Sequence, residues 1–203
     1  MLNKHKIAHP MRLLAVLVLG VGAIIAALLW GLNTRSELDA NSVSFDNRAS
    51  LGTSLAIHPG SLDTKVGEVR MVTVDLDASE EVVGSNVVIT FDPAIVKVVP
   101  INNGAGTQTA QYLNTDGSVF SNFSRFSLDN AKGYISFGGT ASAKHAVKGS
   151  GRVAVIAFKS LKVGSTQLLL KFNSGKGQQS SAISKLKHDV LKQVSNAVIL
   201  VTK

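Results

Sequence analysis

The chain contains no cysteine, which excludes both a disulfide framework and a thiolate metal site. Its stability has to come from packing, whatever compartment it occupies. Aromatic residues are scarce: one Trp, two Tyr and eight Phe in 203 residues. The single Trp, Trp30, lies inside an apolar run near the N-terminus, so beyond it only Tyr112 and Tyr134 join the phenylalanines. A row of exposed rings stacking on crystalline polysaccharide has little material here. Catalytic signatures are missing too. There is no G-x-S-x-G, no H-E-x-x-H and no P-loop, and without paired acid/base candidates catalysis has no evident seat. The chain reads as a non-enzyme.

A charge surplus of one sign is present but divides on inspection. The formal net charge is +8. Residues 1–35 carry Lys4, Lys6, Arg12 and Arg35 and no acid, and residues 36–203 hold all 13 acids. Each part therefore contributes half of the surplus. Along the sequence the lysines of the larger part are scattered, with no basic stripe to track phosphates, which argues against nucleic acid as a partner.

The longest apolar run is Leu13–Leu32, LLAVLVLGVGAIIAALLWGL, without a charged side chain. As a helix rising 1.5 Å per residue it is about 30 Å long, the thickness of a bilayer's hydrocarbon core. Trp30 near its end suits the interface. A cleaved signal peptide would have a shorter apolar region and a small-x-small site, so the run is expected to be an uncleaved transmembrane helix. Lys4, Lys6 and Arg12 precede it. The positive-inside bias then leaves residues 1–12 in the cytoplasm and carries the rest outside, as a single-pass cell-membrane protein. Residues 33–53, rich in Ser, Asn and Asp, read as a flexible linker.

From residue 54 to 203 the texture changes to short β-like runs between turn signals. Ser54–His58, Val69–Asp77, Ser85–Phe91, Ile95–Val99, Val119–Ser127, Tyr134–Thr140, Arg152–Leu161, Thr166–Phe172 and Ala197–Thr202 are the candidates. Several alternate with a period of two, which places Val87, Ile89 and Phe91 on one face and Asn86, Val88 and Thr90 on the other. Asp129–Gly133 reads as a hairpin turn. Such spacing without long intervening helices predicts an all-β, two-sheet antiparallel sandwich. Leu186, Val190, Leu191 and Val194 recur with helical spacing. Residues 185–194 therefore read either as a short helix or as two strand pieces joined at His188-Asp189.

Three constellations invite a chemical reading. Asp75, Asp77, Glu80 and Glu81 are the one acidic cluster and a weak calcium candidate; no other cofactor is suggested. Asn122-Phe123-Ser124 matches a glycosylation sequon. Phe120, Phe123 and Phe126, on a regular strand, would split between two faces, although packing of all three in the core is favoured given how often aromatics serve there.

The order of motifs resembles the cohesin family. Lys65-Val66-Gly67-Glu68 leads into an alternating strand. Gly84-Ser85-Asn86-Val87-Val88-Ile89-Thr90-Phe91-Asp92-Pro93 is similar to that family's strand ending in aromatic-Asp-Pro, with Ile95-Val96-Lys97-Val98 after it. Gly133-Tyr134-Ile135-Ser136-Phe137, then Gly149–Gly151 before Val153–Lys159, then Gly164-Ser165-Thr166, complete the pattern. The resemblance implies a nine-strand jelly-roll sandwich over residues 54–203, with strand and turn rather than helix at 185–194. It also implies non-catalytic adhesion. Cohesins bind dockerins, small calcium-loaded helical domains, through one sheet face, and by resemblance Asn86, Val88, Thr90, Ser136 and Gly138 would lie on that face. The function expected is that of a membrane-anchored, surface-displayed module binding a protein partner. The alternatives are a carbohydrate-binding module that holds a surface glycan in polysaccharide binding or degradation, and a structural envelope component.

Overall fold

The computed structural model describes residues 52–101, 111–173 and 178–203. The apolar run Leu13–Leu32 and most of the linker lie outside the described residues. Within them, no helix is long and apolar enough to cross a membrane.

Twelve strands form an all-β sandwich, with one turn of 3-10 helix at Ala143–His145. In chain order they are β1 (Thr53–His58), β2 (Ser61–Lys65), β3 (Val69–Thr90), β4 (Val96–Val99), β5 (Leu113–Asn114) and β6 (Asn122–Asp129), followed by β7 (Tyr134–Thr140), β8 (Val147–Ser160), β9 (Gly164–Leu170), β10 (Ser181–Ser184), β11 (Leu191–Ser195) and β12 (Ala197–Thr202). The expected count of nine is exceeded for local reasons. The cis peptide His58–Pro59 separates β1 from β2, because proline has no N–H for the ladder. Residues 185–194, expected as strand and turn, supply the turn after β10 and the start of β11. That turn falls at Lys185–Lys187 rather than at His188-Asp189.

One strand belongs to both layers. The runs expected as two strands, Val69–Asp77 and Ser85–Phe91, are the two halves of β3. Up to Ala78 it pairs antiparallel with β1 and β8. The exposed residues Ser79-Glu80-Glu81 then interrupt the register with β8. From Val82 onward β3 pairs mainly with β7 and β10, and its last residues with β9. An interruption of this kind bends a strand and lets it pass from one layer to the next. The expectation of a purely antiparallel sandwich also needs correction: β1 pairs parallel with β11, and β2 parallel with β12. Both products of the Pro59 break lie against C-terminal strands that run in their own direction.

Alternation decides what is inside. β12 runs buried–exposed from Ala197 to Thr202, with Ala197, Ile199 and Val201 in the core. Val87, Ile89, Ile135 and Phe137 are fully buried on facing positions of β3 and β7, and burying each such side chain contributes about 1.5–3 kcal/mol. Phe91 meets Phe158 edge to face, with ring centroids 5.4 Å apart, a favourable geometry for the ring quadrupoles. The aromatic-Asp-Pro turn is structural, as its residue types suggest. Asp92 Oδ1 accepts the Ala94 N–H at 2.8 Å, and the Asp92 N–H donates to Thr166 Oγ1 at 2.9 Å.

Phe120, Phe123 and Phe126 all pack on the core. The reason is a bulge between Ser124 and Ser127, where Arg125 has φ 57°. The extra residue restores Phe126 to the face of Phe123, and Phe126 stacks on Tyr112 at 5.9 Å. The hairpin turn at Asp129–Gly133 forms as expected. Asp129 Oδ1 accepts the N–H groups of Ala131 and Lys132. Gly133 has φ 64°, and a Cβ there would sit 1.9 Å from the Phe91 carbonyl oxygen, so only glycine fits.

Candidate functional site: the outer face of β10, β3, β7 and β6

Four strands lie side by side in the order β10, the second half of β3, β7 and β6. Val87, Ile89, Ile135 and Phe137 turn toward the core, so the period of two sends the intervening residues to the other face. Register then sets the rows across that face. Asn86 is opposite Gly138 and Ser181, Val88 is opposite Ser136, and Thr90 is opposite Tyr134. Ser124 and Ser127 of β6 continue the first two rows. The sheet therefore brings all five expected partner-binding residues together on one face.

It does not leave all of them open. Asn86 and Thr90 are half-buried, but Val88 is 0% and Ser136 2% exposed, and Gly138 is buried as well. Alternation reports which face a residue is on, but not whether other parts of the chain cover that face. Part of the reason lies in the segment after β9. Ser180 Oγ accepts the Val88 N–H at 3.0 Å and donates to the Val88 carbonyl at 3.3 Å. The Lys171 N–H also reaches that carbonyl at 2.8 Å. Asn86 Nδ2 donates to the Gln179 carbonyl at 2.7 Å, and the Tyr134 hydroxyl donates to Gln178 Oε1 at 2.7 Å.

Gln178, Gln179, Ser180 and Tyr134 are thus built into the face. Sequence reasoning missed the first three, which sit in a polar stretch with no pattern, and read Tyr134 as a scarce aromatic and as part of a strand motif but not as a residue of the face. Gln179 Oε1 is buried with no hydrogen-bond partner. What remains open is polar and small: Ser124 and Ser127 are exposed, with Arg125 at the bulge between them. Exposed serines have few rotamers to freeze, so little conformational entropy is lost at them when a rigid element lies on the face.

The acidic cluster is dispersed. The Thr73 hydroxyl donates to Asp75 Oδ2 at 3.3 Å, and His58 Nε2 lies 4.0 Å from that oxygen. Asp77 Oδ1 accepts from the Ser150 hydroxyl at 3.2 Å, and Glu81 pairs with Lys185 at 3.3 Å. Glu80 is exposed in the break of β3. Among the described residues no three His, Cys, Asp or Glu side chains converge on a point where a metal would sit. Asn122 of the sequon is exposed at the start of β6.

The fold is shared with solved cohesins. A type II cohesin domain from the cellulosome of Acetivibrio cellulolyticus superposes with TM-score 0.56 at 20% identity, over 73% of this chain and 95% of that one. The third cohesin of ScaC from the same organism, solved with the ScaB dockerin, gives 0.55 at 22% identity, over 74% and 99%. A type I cohesin–dockerin complex from Clostridium thermocellum, containing the OlpA cohesin, gives 0.52 at 18% identity, over 74% and 99%. No curated protein gives a significant match. The cohesin domain family matches residues 55–194, more than half of the chain, and by that match the chain belongs to the cohesin family, whose members are non-catalytic binding modules.

Proposed function

We propose that this chain is a membrane-anchored cohesin that displays its sandwich outside the cytoplasm and binds a dockerin-type protein through the outer face of β10, β3, β7 and β6. The observation that carries the reading is the face itself. The core-facing residues of β3 and β7 fix which side chains it presents, and the small exposed residues Ser124 and Ser127 leave room for a helix to approach closely. Asn86, Thr90, Tyr134 and Gln179 rim it with hydrogen-bonding groups. The likeness to cohesins solved with dockerins supports the choice of partner, and the uncharged run Leu13–Leu32 supports the anchor.

The test is a binding measurement on the full chain in nanodiscs, against a panel of dockerins with and without calcium, alongside a glycan array. Retention of a dockerin, lost when Asn86 and Thr90 are both replaced by arginine, is the expected result. Glycan retention with no dockerin bound would move the assignment to a carbohydrate-binding module.

A further inference from the structure

We propose that the end of the sandwich built from the β2–β3 and β8–β9 turns is a second interaction surface, one that seats on an anionic lipid bilayer. Backbone hydrogen bonds join the two turns: the Gly67 N–H donates to the Ser160 carbonyl, and the Ser160 N–H to the Glu68 carbonyl, each at 2.9 Å. The Leu161 N–H donates to the Ile95 carbonyl and brings in the turn before β4. At this one end, Val66, Val69, Met71, Leu161 and Val163 are 45, 49, 57, 38 and 46% exposed. Large apolar side chains this exposed, gathered on adjoining turns and strand ends, are not explained by burial in the core. Contiguous exposed apolar residues of this kind mark interaction sites.

The charge around them points to the occupant. Lys97 and Lys159 are directly opposite each other on β4 and β8, an arrangement that like charges oppose. Val69 is the neighbour of Lys159 on its other side. Lys162 lies between Leu161 and Val163. Among the described residues no carboxylate comes within 4.0 Å of Lys97, Lys159 or Lys162. The acids of these turns are already engaged. Glu68 pairs with Arg70 at 3.2 Å and accepts from the Thr64 hydroxyl and the Lys65 N–H, and Asp92 accepts the Ala94 N–H. Lys97 thus joins Lys159 and Lys162 at one end, and the three lack a carboxylate partner among the described residues.

Protruding apolar turns ringed by cations match a surface that is anionic at its boundary and apolar just beneath it. A protein groove would require a shape matched to each protruding side chain; a bilayer adapts to them. The outer face of β10, β3, β7 and β6 has none of these residues, so a seated domain keeps that face free.

The inference gains its cell-membrane setting from the anchor proposed above, but its test separates the two. Because the chain has no cysteine, one introduced cysteine gives one label. Full-length chains carrying Val163→Cys or, as a control on a distant exposed turn, Leu186→Cys would be labelled with a fluorophore. They would then be placed in nanodiscs containing nitroxide lipids, with or without phosphatidylserine. The expected result is quenching at 163 that depends on phosphatidylserine and falls with salt, with little at 186. Lys97→Glu with Lys159→Glu should lower the seated population about fivefold or more per lysine. No quenching at 163, equal quenching at both sites, or quenching at 163 regardless of lipid charge overturns the proposal. If the chain does not enter nanodiscs, the anchor reading fails alone. The same labelled chain, added to phosphatidylserine vesicles, then decides the lipid contact by the same contrast.

Discussion

Asn130 pairs with Val98 as though it were a strand. Its Oδ1 accepts the Val98 N–H and its Nδ2 donates to the Val98 carbonyl, both at 2.9 Å. Val98 is the middle of the short strand β4, whose other edge pairs with β8. A side chain from the β6–β7 turn thus satisfies an edge that would otherwise be left to solvent, and ties that turn to the far layer.

Asn130→Ala removes both bonds and leaves a partly buried donor and acceptor on Val98. Such groups cost about 1–3 kcal/mol when unsatisfied. The urea midpoint should fall accordingly, with an unchanged dependence on urea. Asn130→Asp is expected to be no better, because it keeps the acceptor but sets a second oxygen against the Val98 carbonyl. A loss under about 0.5 kcal/mol, the level of ordinary surface changes, would show that water replaces Asn130 without penalty.

The neighbouring residue makes the same turn sensitive to acid. The Lys132 side chain, bonded to Asp129, and the N–H groups of Lys132 and Ala131 hold the Asp129 carboxyl below the ordinary aspartate range. A depressed carboxyl stabilises the fold above its unfolded pKa, and that contribution is lost as pH falls through the folded value. Glu68 is depressed from 4.5 in the same direction, chiefly by the Lys65 N–H. Thermal stability should therefore be level at neutral pH and decline below about pH 4. Asp129→Asn should be less stable than the parent at neutral pH and should lose less of its remaining stability on acidification. An identical pH profile in the variant would remove Asp129 from the account.

Much of this arrangement was legible in the sequence, for a physical reason. Where one face is dry and the other wet, alternation reports it, so Ala197–Thr202 coincides with β12. Phe91-Asp92-Pro93 announced a turn because each residue type acts locally. What stayed hidden depends on partners distant in sequence. Ser61–Lys65, SLDTK, has little apolar content and is a strand because β12 lies beside it. The continuity of β3 through Ser79-Glu80-Glu81 is a matter of where the layers join. The bulge at Arg125 leaves no mark in composition, yet it decides which way Phe126 points. Lys97 and Lys159 of the apolar end are far apart in sequence and opposite each other only in the fold. The five residues expected by resemblance share one sheet face, and the burial of Val88, Ser136 and Gly138 was not legible because Ser180 and Gln179, which bond to this part of β3, come from some 90 positions later.

That difference in burial separates the five residues experimentally. Val88 is enclosed, with no exposed surface, and its backbone is held by Ser180. Val88→Arg places an unpaired cation where water is excluded, a change that breaks folding rather than binding alone. Asn86 and Thr90 are partly open, so arginine there has room to reach solvent and should change stability by no more than about 1 kcal/mol. On the proposed reading, the Asn86 and Thr90 variants keep the parent's melting temperature and lose the partner. Val88→Arg loses both, and Val88→Ile, which adds one methylene to a filled site, costs about 1–3 kcal/mol but retains binding in the fraction that remains folded. Ser136→Arg should behave like Val88→Arg, since Ser136 is opposite it and equally enclosed. Melting curves and partner titrations on the same preparations make the comparison. If Val88→Arg folds normally and only binding is lost, the face is open in solution at its centre, and the contact surface extends across Val88 and Ser136 instead of being confined to its rim.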